Sequence, residues 1–483
     1  MNRKSFLTLW LCAALPMASF GRPATTPEMP ETSDRHPSYT VEAGTPTHGV
    51  AKPTAPPPAD SVFTRPAVWD LQTCIAYARQ HNLQVRNAQI NYEAAATDLK
   101  TAKAARYPSL NFGSNQGFTN GNTFNETNGR FVSNPQYTGT YSLSADMVIY
   151  NGSKLHNTVK QRKIDLETNR LLVDKAENDI EVAVTNAYLE VLYAVESMKT
   201  DSAILETSRM QYEEAQAKYE VGSLNLSDLA QLKAQYGGDL YNLTVSQNQV
   251  RQSTLALKQL LELDLDDEMS LRFPDVESLR ITQEVPSLHT VYYTALETMP
   301  EIKAAESEIT ASVLNEKTAK AGRLPSITLS AAVGTGYYTS ADFAFLNQLG
   351  NNINENVSLG IRIPIYQRRE AKSAVDKAVL QTRRAELELQ TAQKNLLATI
   401  ESLHQDAVAA QERYKAAGLQ MEAAQESYNL MREQYQAGLS TLVDMFSEKN
   451  NFVSATGEML KAKYQAVLSL CLLNFYQNQP ISF

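Results

Sequence analysis

Glycine and proline are scarce in this sequence, at 20 and 19 of 483 residues. Because these residues interrupt helices and strands, their scarcity predicts long, unbroken elements. Long hydrophobic runs are missing as well. Beyond the N-terminus no stretch of about 18 apolar residues occurs, which excludes a membrane-spanning helix. If the protein lies in a membrane, it must therefore do so as a β-barrel.

An excess of positive charge is also absent. The 44 Lys and Arg residues are outnumbered by 53 Asp and Glu residues, and the formal net charge is −9. The sequence therefore offers no basic face for nucleic acid. The six His residues are scattered, and no H-E-x-x-H, G-x-S-x-G or phosphate-loop motif occurs. We expect no catalytic, cofactor-binding or metal-binding residues, and no enzymatic activity.

Cysteine is nearly absent, with three residues in the chain. Cys12 falls in the N-terminal segment. Cys74 and Cys471 lie in helical patterns, where cysteine often acts as a small apolar residue, although the two could also pair in an oxidising compartment. No cysteine framework holds this fold together.

The N-terminus has the pattern of a secretory signal peptide over residues 1–21. Arg3 and Lys4 precede an apolar run, and small residues precede a plausible cleavage site. Lipidation of Cys12 is the alternative. Residues 22–66 are rich in Pro and Thr, which predicts a disordered tether.

An internal repeat is the most informative positive feature. Residues 71–110 align without a gap on residues 288–327, and residues 142–229 align on residues 358–445. The predicted organisation is a first repeat over 67–270, a linker or equatorial region over 271–287 and a second repeat over 288–483.

Four segments alternate apolar and polar residues with a period of two, which indicates β-strands. In residues 141–149, for example, the odd positions are apolar and most even positions are polar. Each segment has about 10 to 12 residues, enough for a tilted strand to cross a bilayer, although a soluble antiparallel sheet would alternate in the same way. The predicted strands cover about residues 107–118, 137–150, 325–338 and 355–366.

The segments between the predicted strands and the number of strands both bear on the architecture. The inserts between paired strands, residues 119–136 and 339–354, are dense in Asn, Gly, Thr and Ser, and they are interpreted as long polar loops. Because the smallest membrane barrels have about eight strands, four strands per chain require an oligomer if the membrane interpretation holds.

Two long segments repeat apolar residues every seven positions. The first extends from Lys154 to Val221 without Pro or Gly, and its counterpart in the second repeat extends to Ala437. Sustained heptads predict coiled-coil packing of long helices. Each helix stops at a glycine, Gly222 or Gly438, and a return helix follows. The candidate N-caps of the return helices are Ser227 or Asp228 in the first repeat and Ser440 or Thr441 in the second.

Together these features resemble the TolC-type outer-membrane efflux family over essentially all of Trp69 to Tyr476. The match rests on the duplication, the order of helix, strand, strand and long helix, the Pro-Ser pairs that open strands, and the Gly-to-Asp spacing of the hairpins. The resemblance implies an α+β membrane protein with a long coiled-coil α-helical barrel and four transmembrane β-strands per protomer, completing a 12-stranded β-barrel as a homotrimer. It also implies contact with lipid in the outer membrane of a Gram-negative bacterium, with helices extending into the periplasm.

The same resemblance implies a function and partners. The hairpin tips would dock on a periplasmic adaptor (membrane fusion) protein, which links the duct to an inner-membrane pump of the RND or ABC type. The expected function is the outer-membrane channel of a tripartite efflux pump, a passive exit duct for drugs or other small molecules. The alternatives are a type I protein secretion duct and a non-transport periplasmic coiled-coil structural protein.

The resemblance also assigns site residues. The adaptor-docking tips match Val221, Gly222, Ser223, Leu224, Ala437, Gly438 and Leu439. The periplasmic gate matches Asp444, Asp228, Tyr435, Ser440 and Ser447.

Within this gate, Tyr435 is expected to face Asp228, and Ser440 to lie near Ser227. A family member carries Arg at the position of Ser440 and a second acid at the position of Ser447, so this chain departs from that pattern at both. Three Asp444 side chains around a threefold axis would form a negative ring that favours cations. The alternative for Asp444 is a helix-start acid stabilised by the helix dipole.

Overall fold

The computed structural model describes residues 68–481, except 126–128, 134–135, 265–266, 268, 273–283 and 340–343. The predicted signal peptide, the predicted tether and residues 273–283 of the predicted linker lie outside the described residues. The elements below all belong to one compact unit, residues 65–483.

The two halves of this unit have the same order of helices and main strands. The first half contains α1 Leu71–His81, α2 Leu83–Ala104, β1 Ser109–Thr119, β2 Asn122–Asn125, β3 Arg130–Ser133, β4 Gln136–Tyr150, α3 Lys154–Glu220 and α4 Leu226–Leu260. The second half contains α5 Leu288–Thr298, α6 Pro300–Ala321, β5 Ser326–Tyr338, α7 Phe345–Asn351, β6 Asn354–Arg362, α8 Glu370–Gln436 and α9 Leu442–Tyr476.

The structure corrects one predicted strand boundary and two predicted loops. Strand β6 ends at Arg362 rather than near residue 366, because Pro364 has no N–H group to donate to a strand ladder. The polar insert 119–136 is not simply a loop, since β2 and β3 pair within it as an antiparallel hairpin. The insert 339–354 contains the short helix α7.

The main sheet is antiparallel, in the order β1-β4-β5-β6. Its register separates two faces. A polar row crosses all four strands at Ser109, Asp146, Ser330 and Ser358. The next row over lies on the opposite face and is apolar, formed by Leu110, Ala145, Ala331 and Val357. Strands β1 and β6 are the outer strands, each paired on one side only within the described sheet.

The long helices α3 and α8 have 67 residues each, or about 100 Å of helix. The heptad positions in the middle of both helices are buried, as the sequence predicts, and those nearer the tips are mostly half-buried. In α3, Val184 and Val191 are fully enclosed, and in α8 so are Ile400 and Ala407. The heptad series of α3 continues from Val184 every seven residues to Tyr219, which is 41% exposed because it lies at the end of the helix.

The main core lies where α1, α3 and α9 meet, and it includes Trp69, Tyr188 and Val467. Cys74 and Cys471 are both buried in this core. Burial raises the pKa of each cysteine thiol to about 12, so both stay protonated at neutral pH. Among the described helices, none combines the length and the apolar character that crossing a membrane requires.

Candidate functional site at the hairpin tips

Both long helices end in the same backbone motif. Gly222 and Gly438 adopt left-handed φ angles of 78° and 74°. The next residue, Ser223 or Leu439, donates its N–H to the carbonyl of Lys218 or Gln434 at 2.9 and 2.8 Å. This pattern is the Schellman motif, which favours glycine because a side chain is strained at positive φ.

These turns place the predicted docking residues at the far end of the hairpins from the sheet. Val221 and Leu439 are each 79% exposed, so each turn presents an apolar side chain to solvent. The other predicted docking residues that are exposed are Gly222, Ser223, Ala437 and Gly438, while Leu224 is half-buried.

The caps of the return helices differ in part from the prediction. Asn225, rather than Ser227 or Asp228, caps α4, since its side-chain oxygen accepts from the N–H of Asp228 at 2.8 Å. An Asn side chain suits a cap as well as a Ser or Asp does, and it lies at the first non-helical position. Thr441, one of the two predicted candidates, caps α9.

Asp444 completes a capping box with Thr441. The Asp444 carboxylate accepts from the Thr441 hydroxyl at 2.6 Å and from the Thr441 N–H at 3.3 Å. Asp444 also lies in the first turn of α9, where the helix dipole favours a negative charge. The helix-start interpretation of Asp444 therefore has full local support, and Asp444 is nonetheless exposed, as is Ser447 one turn later.

Tyr435 and Asp228 line one cleft between the two hairpins, with a volume of about 410 Å³. Burial raises the pKa of the Tyr435 phenol, and the negative charge of Asp228 raises it further, while Lys218 opposes both. The structure thus brings the predicted pair together. Ser440 turns to its own hairpin, where its hydroxyl donates to the carbonyl of Met431 at 3.4 Å.

Two cationic side chains line this cleft, although this chain has Ser440 at the position where a family member carries Arg. Arg432 from α8 and Lys218 from α3 share the cleft with Asp228. Below it, an apolar cluster joins the two hairpins. Its buried members are Ala215, Leu232, Tyr428, Leu442 and Met445.

A buried ion pair between the return helices was missed by sequence reasoning. Lys449 of α9 donates to Asp239 of α4 at 2.6 Å, and their side chains are only 3% and 7% exposed. The other carboxylate oxygen of Asp239 accepts from Gln235 at 3.0 Å. Because both oxygens and the ammonium have partners, the pair is compatible with burial.

A signal for this pair was present in the sequence. The buried seam of α4 repeats every seven residues through Leu232, Asp239 and Ser246, and Lys449 follows buried Met445 by one turn on the same face of α9. A charged residue in a heptad core position indicates a buried partner, because an unpaired charge there is too costly.

No group of His, Cys, Asp and Glu side chains suited to a metal ion occurs in the described part of the chain. The candidate site is thus a set of polar contacts and apolar packing between two hairpins. These contacts join the two hairpins near their tips.

Comparison with known proteins adds to this geometry. The family model described as "Outer membrane efflux protein" matches residues 74–262 and 291–475. Outer membrane protein TolC of Escherichia coli is 23% identical over 399 residues, covering 81% of this chain and 78% of that protein. Outer membrane efflux protein BepC of Brucella suis is 22% identical over 338 residues, covering 70% and 72%.

Among solved structures, the CmeC outer membrane channel of Campylobacter jejuni superposes with a TM-score of 0.72. It is 18% identical in sequence, and the match covers 86% of this chain and 87% of that chain. At this level of identity the likeness establishes the fold.

Proposed function

The chain belongs to the outer membrane efflux protein family, and on that premise we propose that it is the outer-membrane exit duct of a tripartite efflux system in a Gram-negative bacterium. It is a passive channel and not an enzyme. The observation that carries the proposal is the continuous connection of a two-faced sheet to paired helices of 67 residues. A membrane element and a long tunnel element then belong to one chain.

The sheet supports the membrane part of this proposal. Its apolar rows suit the lipid side of a barrel and its polar rows suit the lumen. Because the outer strands β1 and β6 each have an unpaired edge within the described sheet, three protomers can close a ring of twelve strands by joining β1 to β6. The homotrimer is therefore part of the proposal.

The long helices support the periplasmic part. At about 1.5 Å per residue, they carry the tips about 100 Å from the sheet, toward an inner-membrane pump of the RND or ABC type. The exposed apolar side chains of Val221 and Leu439 at the tips suit docking on a periplasmic adaptor protein. The cargo is proposed to be drugs or other small molecules, selected by the pump.

The gate is proposed to lie where the two hairpins meet. Tyr435 and Asp228 hold the tips together, and Asp444 and Ser447 face the channel axis of the trimer. Ser440 contributes through its own hairpin. The Lys449–Asp239 pair, about 16 Å along α4 from Asp228, is a polar link between the hairpins that is shielded from solvent.

Export and adaptor capture test this function together. In a strain that lacks its own exit ducts, the full-length protein should restore drug resistance when produced with its cognate pump and adaptor, and the adaptor should co-purify with it. Gly438→Trp should abolish both, because it adds bulk at the tip and strain at positive φ.

Two controls separate the causes. Gly438→Asn tolerates the left-handed conformation without much bulk and should retain export. Gly121→Trp places the same bulk in open space at the opposite end of the molecule and should also retain it. Full export and adaptor binding by Gly438→Trp would show that the docking tips are wrongly assigned.

A further inference from the structure

Positive charge is concentrated where the sheet meets the helices. The four connecting segments, residues 99–108, 147–164, 317–325 and 363–375, are rich in Lys and Arg, and Glu370 is their only acid. At the opposite edge of the sheet, residues 116–140 and 334–356 contain Arg130 as their only Lys or Arg. The chain as a whole has a net charge of −9, so a general excess of Lys and Arg does not explain why they are concentrated at one edge of the sheet.

The fold brings the four segments together at one edge. Arg106, after α2, lies 3.5 Å from His156 in the first turn of α3. Gln367, before α8, donates to the carbonyl of Gly322, after α6, at 3.2 Å. Gly152, before α3, packs closely against Leu324 after α6. The cations therefore form a single band around the junction rather than separate patches.

Six exposed cations closest to the sheet define what is called here the basic girdle. No ion pair with a described carboxylate involves any of them within 4.0 Å. They differ in this from Arg162, which pairs with Asp165 at 3.2 Å, and from Lys320, which pairs with Glu316. The members of the basic girdle are Arg106, Lys154, Arg323, Arg368, Arg369 and Lys372.

Helix stability explains only part of the girdle, because Arg106 and Arg323 follow helix C-termini, where cations are favoured. A helix N-terminus disfavours positive charge, yet Lys154 is the first residue of α3, whose first turn has no acid. Arg369 occupies the N-cap of α8 and makes no side-chain cap hydrogen bond. Arg368 and Arg369 also adopt positive φ angles of 43° and 68°, which side chains avoid. The positions of Lys154, Arg368 and Arg369 are therefore unfavourable within the chain, which points to a contact outside it.

Tyrosines mark the same edge as a membrane interface. Tyr107, Tyr150 and Tyr366 are 74%, 42% and 85% exposed there. At the other edge, Tyr137 is 54% exposed, and β4 connects the two levels. The path from Tyr137 to Tyr150 is about 43 Å along the strand, or about 30 Å across the bilayer at a tilt of roughly 45°. Aromatic rings at both levels match the two girdles that flank a membrane barrel.

We propose that the basic girdle binds the phosphate groups of anionic phospholipids in the membrane leaflet on the helical side of the sheet. This inference rests on the proposed function, since it requires the sheet to lie in a bilayer. Cations next to an interfacial tyrosine belt attract anionic headgroups electrostatically. Salt screens this attraction, so each cation acts only on headgroups close to it. The girdle fixes the height of the barrel in the membrane and selects the lipids around it.

Arg362 provides a matched control at the same height. It lies directly opposite Ser326 in the register, on the polar face that carries Ser330 and Ser358. In a barrel this face lines the lumen, so Arg362 is a cation at the junction that is not part of the girdle. Removing it makes the same type of charge change without touching the lipid.

The experiment measures lipid binding to the full-length protein. The protein is purified in detergent, and the affinities of phosphatidylglycerol and phosphatidylcholine are compared by native mass spectrometry, with inorganic phosphate as a competitor. Variants are Arg368→Gln/Arg369→Gln/Lys372→Gln and Arg362→Gln. Flotation with vesicles of equal parts of the two lipids gives a separate readout of membrane insertion.

The wild-type protein should prefer phosphatidylglycerol by at least roughly tenfold, and the triple variant should lose most of this preference, since half of the cations that attract the anionic headgroup are removed. Arg362→Gln should stay within about twofold of wild type, and millimolar phosphate should not displace the lipid. High salt should reduce the preference.

Several results would overturn the proposal. These are equal affinity for the two lipids, full preference in the triple variant, an equal loss in Arg362→Gln, or displacement by inorganic phosphate. Failure of the wild-type protein to float with vesicles would defeat the exit-duct proposal and the girdle together. Flotation without a lipid preference would defeat the girdle alone.

Discussion

Asp444 has a local role at the start of α9, separate from the gate role that is proposed for it. Its carboxylate accepts two hydrogen bonds from Thr441, so the start of α9 already accounts for an acid at this position. In the first repeat the equivalent residue is Asp228, whose carboxylate accepts from the side-chain amide of Asn225 at 2.9 Å. Asp228 and Asp444 both lie in the first turn of a return helix. Because their local positions are alike, Asp444 and Asp228 are expected to differ through their surroundings in the trimer. Of the two, only Asp444 is proposed to face the channel axis.

Asp444→Asn tests that difference. Asn retains an oxygen to accept from Thr441, so loss of the favourable charge at the helix start should cost only about 0.5 kcal/mol of stability. The cation-to-anion permeability ratio of reconstituted channels should fall by roughly two- to fivefold, because three negative charges leave the ring. Asp228→Asn is the control and should change selectivity less. An unchanged ratio in Asp444→Asn would remove Asp444 from the channel axis.

The phenol of Tyr435 should make the hairpin contact sensitive to alkaline pH. Burial and the charge of Asp228 raise its pKa, so the folded protein favours the neutral phenol. The resulting stability is fully present below the ordinary tyrosine pKa of about 10 and is lost as pH rises through the raised value. Thermal midpoints measured from pH 8 upward should therefore drop above about pH 10 by less in Tyr435→Phe than in wild type.

Difference absorbance at the tyrosinate band provides the matching check. Subtracting Tyr435→Phe from wild type isolates the titration of this residue, and Asp228→Asn should move it to lower pH because a negative neighbour is removed. If the Tyr435 phenol titrates at the same pH in Asp228→Asn as in the wild type, the two side chains do not interact.

At the scale of elements, the hairpins α3–α4 and α8–α9 are joined by an apolar cluster and by the Lys449–Asp239 pair. The apolar cluster packs without strict geometry, whereas the pair holds one register. A buried pair of this kind often adds little net stability, but removing one partner leaves the other charge unsatisfied. The pair is therefore suited to making the hairpins separate as a whole or not at all.

Lys449→Met should destabilise the hairpin contact by about 3 to 5 kcal/mol, because Asp239 is left buried without its cation. The double variant Lys449→Met/Asp239→Leu should recover most of that loss. Lys415→Met, which breaks the exposed Lys415–Glu412 pair, should cost less than about 1 kcal/mol. Thermal unfolding of the three variants measures these effects, and equal losses in Lys449→Met and the double variant would show that the pair is not a unit.

Elements could be predicted from the sequence wherever local pattern decides the structure. The heptads that contain Val184 and Ile400 and the glycines at 222 and 438 indicated the long helices and their ends. The hairpin of β2 and β3 could not be found, because each strand has four residues, too few for an alternating pattern to be recognised in a polar insert. The Lys449–Asp239 contact spans 210 positions of sequence, so it depends on which helices are neighbours, and periodicity does not determine that.

At the scale of the whole molecule, the sheet and the helices place opposite demands on the chain. The sheet exposes large apolar side chains such as Phe112, Leu359 and Ile361, at 71%, 61% and 62%. Such a surface is unusual for a soluble monomer. The helical part buries an apolar core and carries most of the exposed ion pairs, although side chains such as Leu387 and Leu419 are also exposed there, at 62% and 71%. A protein with its sheet in lipid and its helices in water meets both demands.

The central claim is that the trimer forms a duct, and conductance across a planar lipid bilayer tests it most directly. Purified full-length protein should give discrete, cation-selective steps, small in the wild type, where the hairpins are held together. Lys449→Met should give larger or longer openings, because a buried polar link between the two return helices is lost. Absence of steps from both proteins after verified insertion into the bilayer would contradict the account.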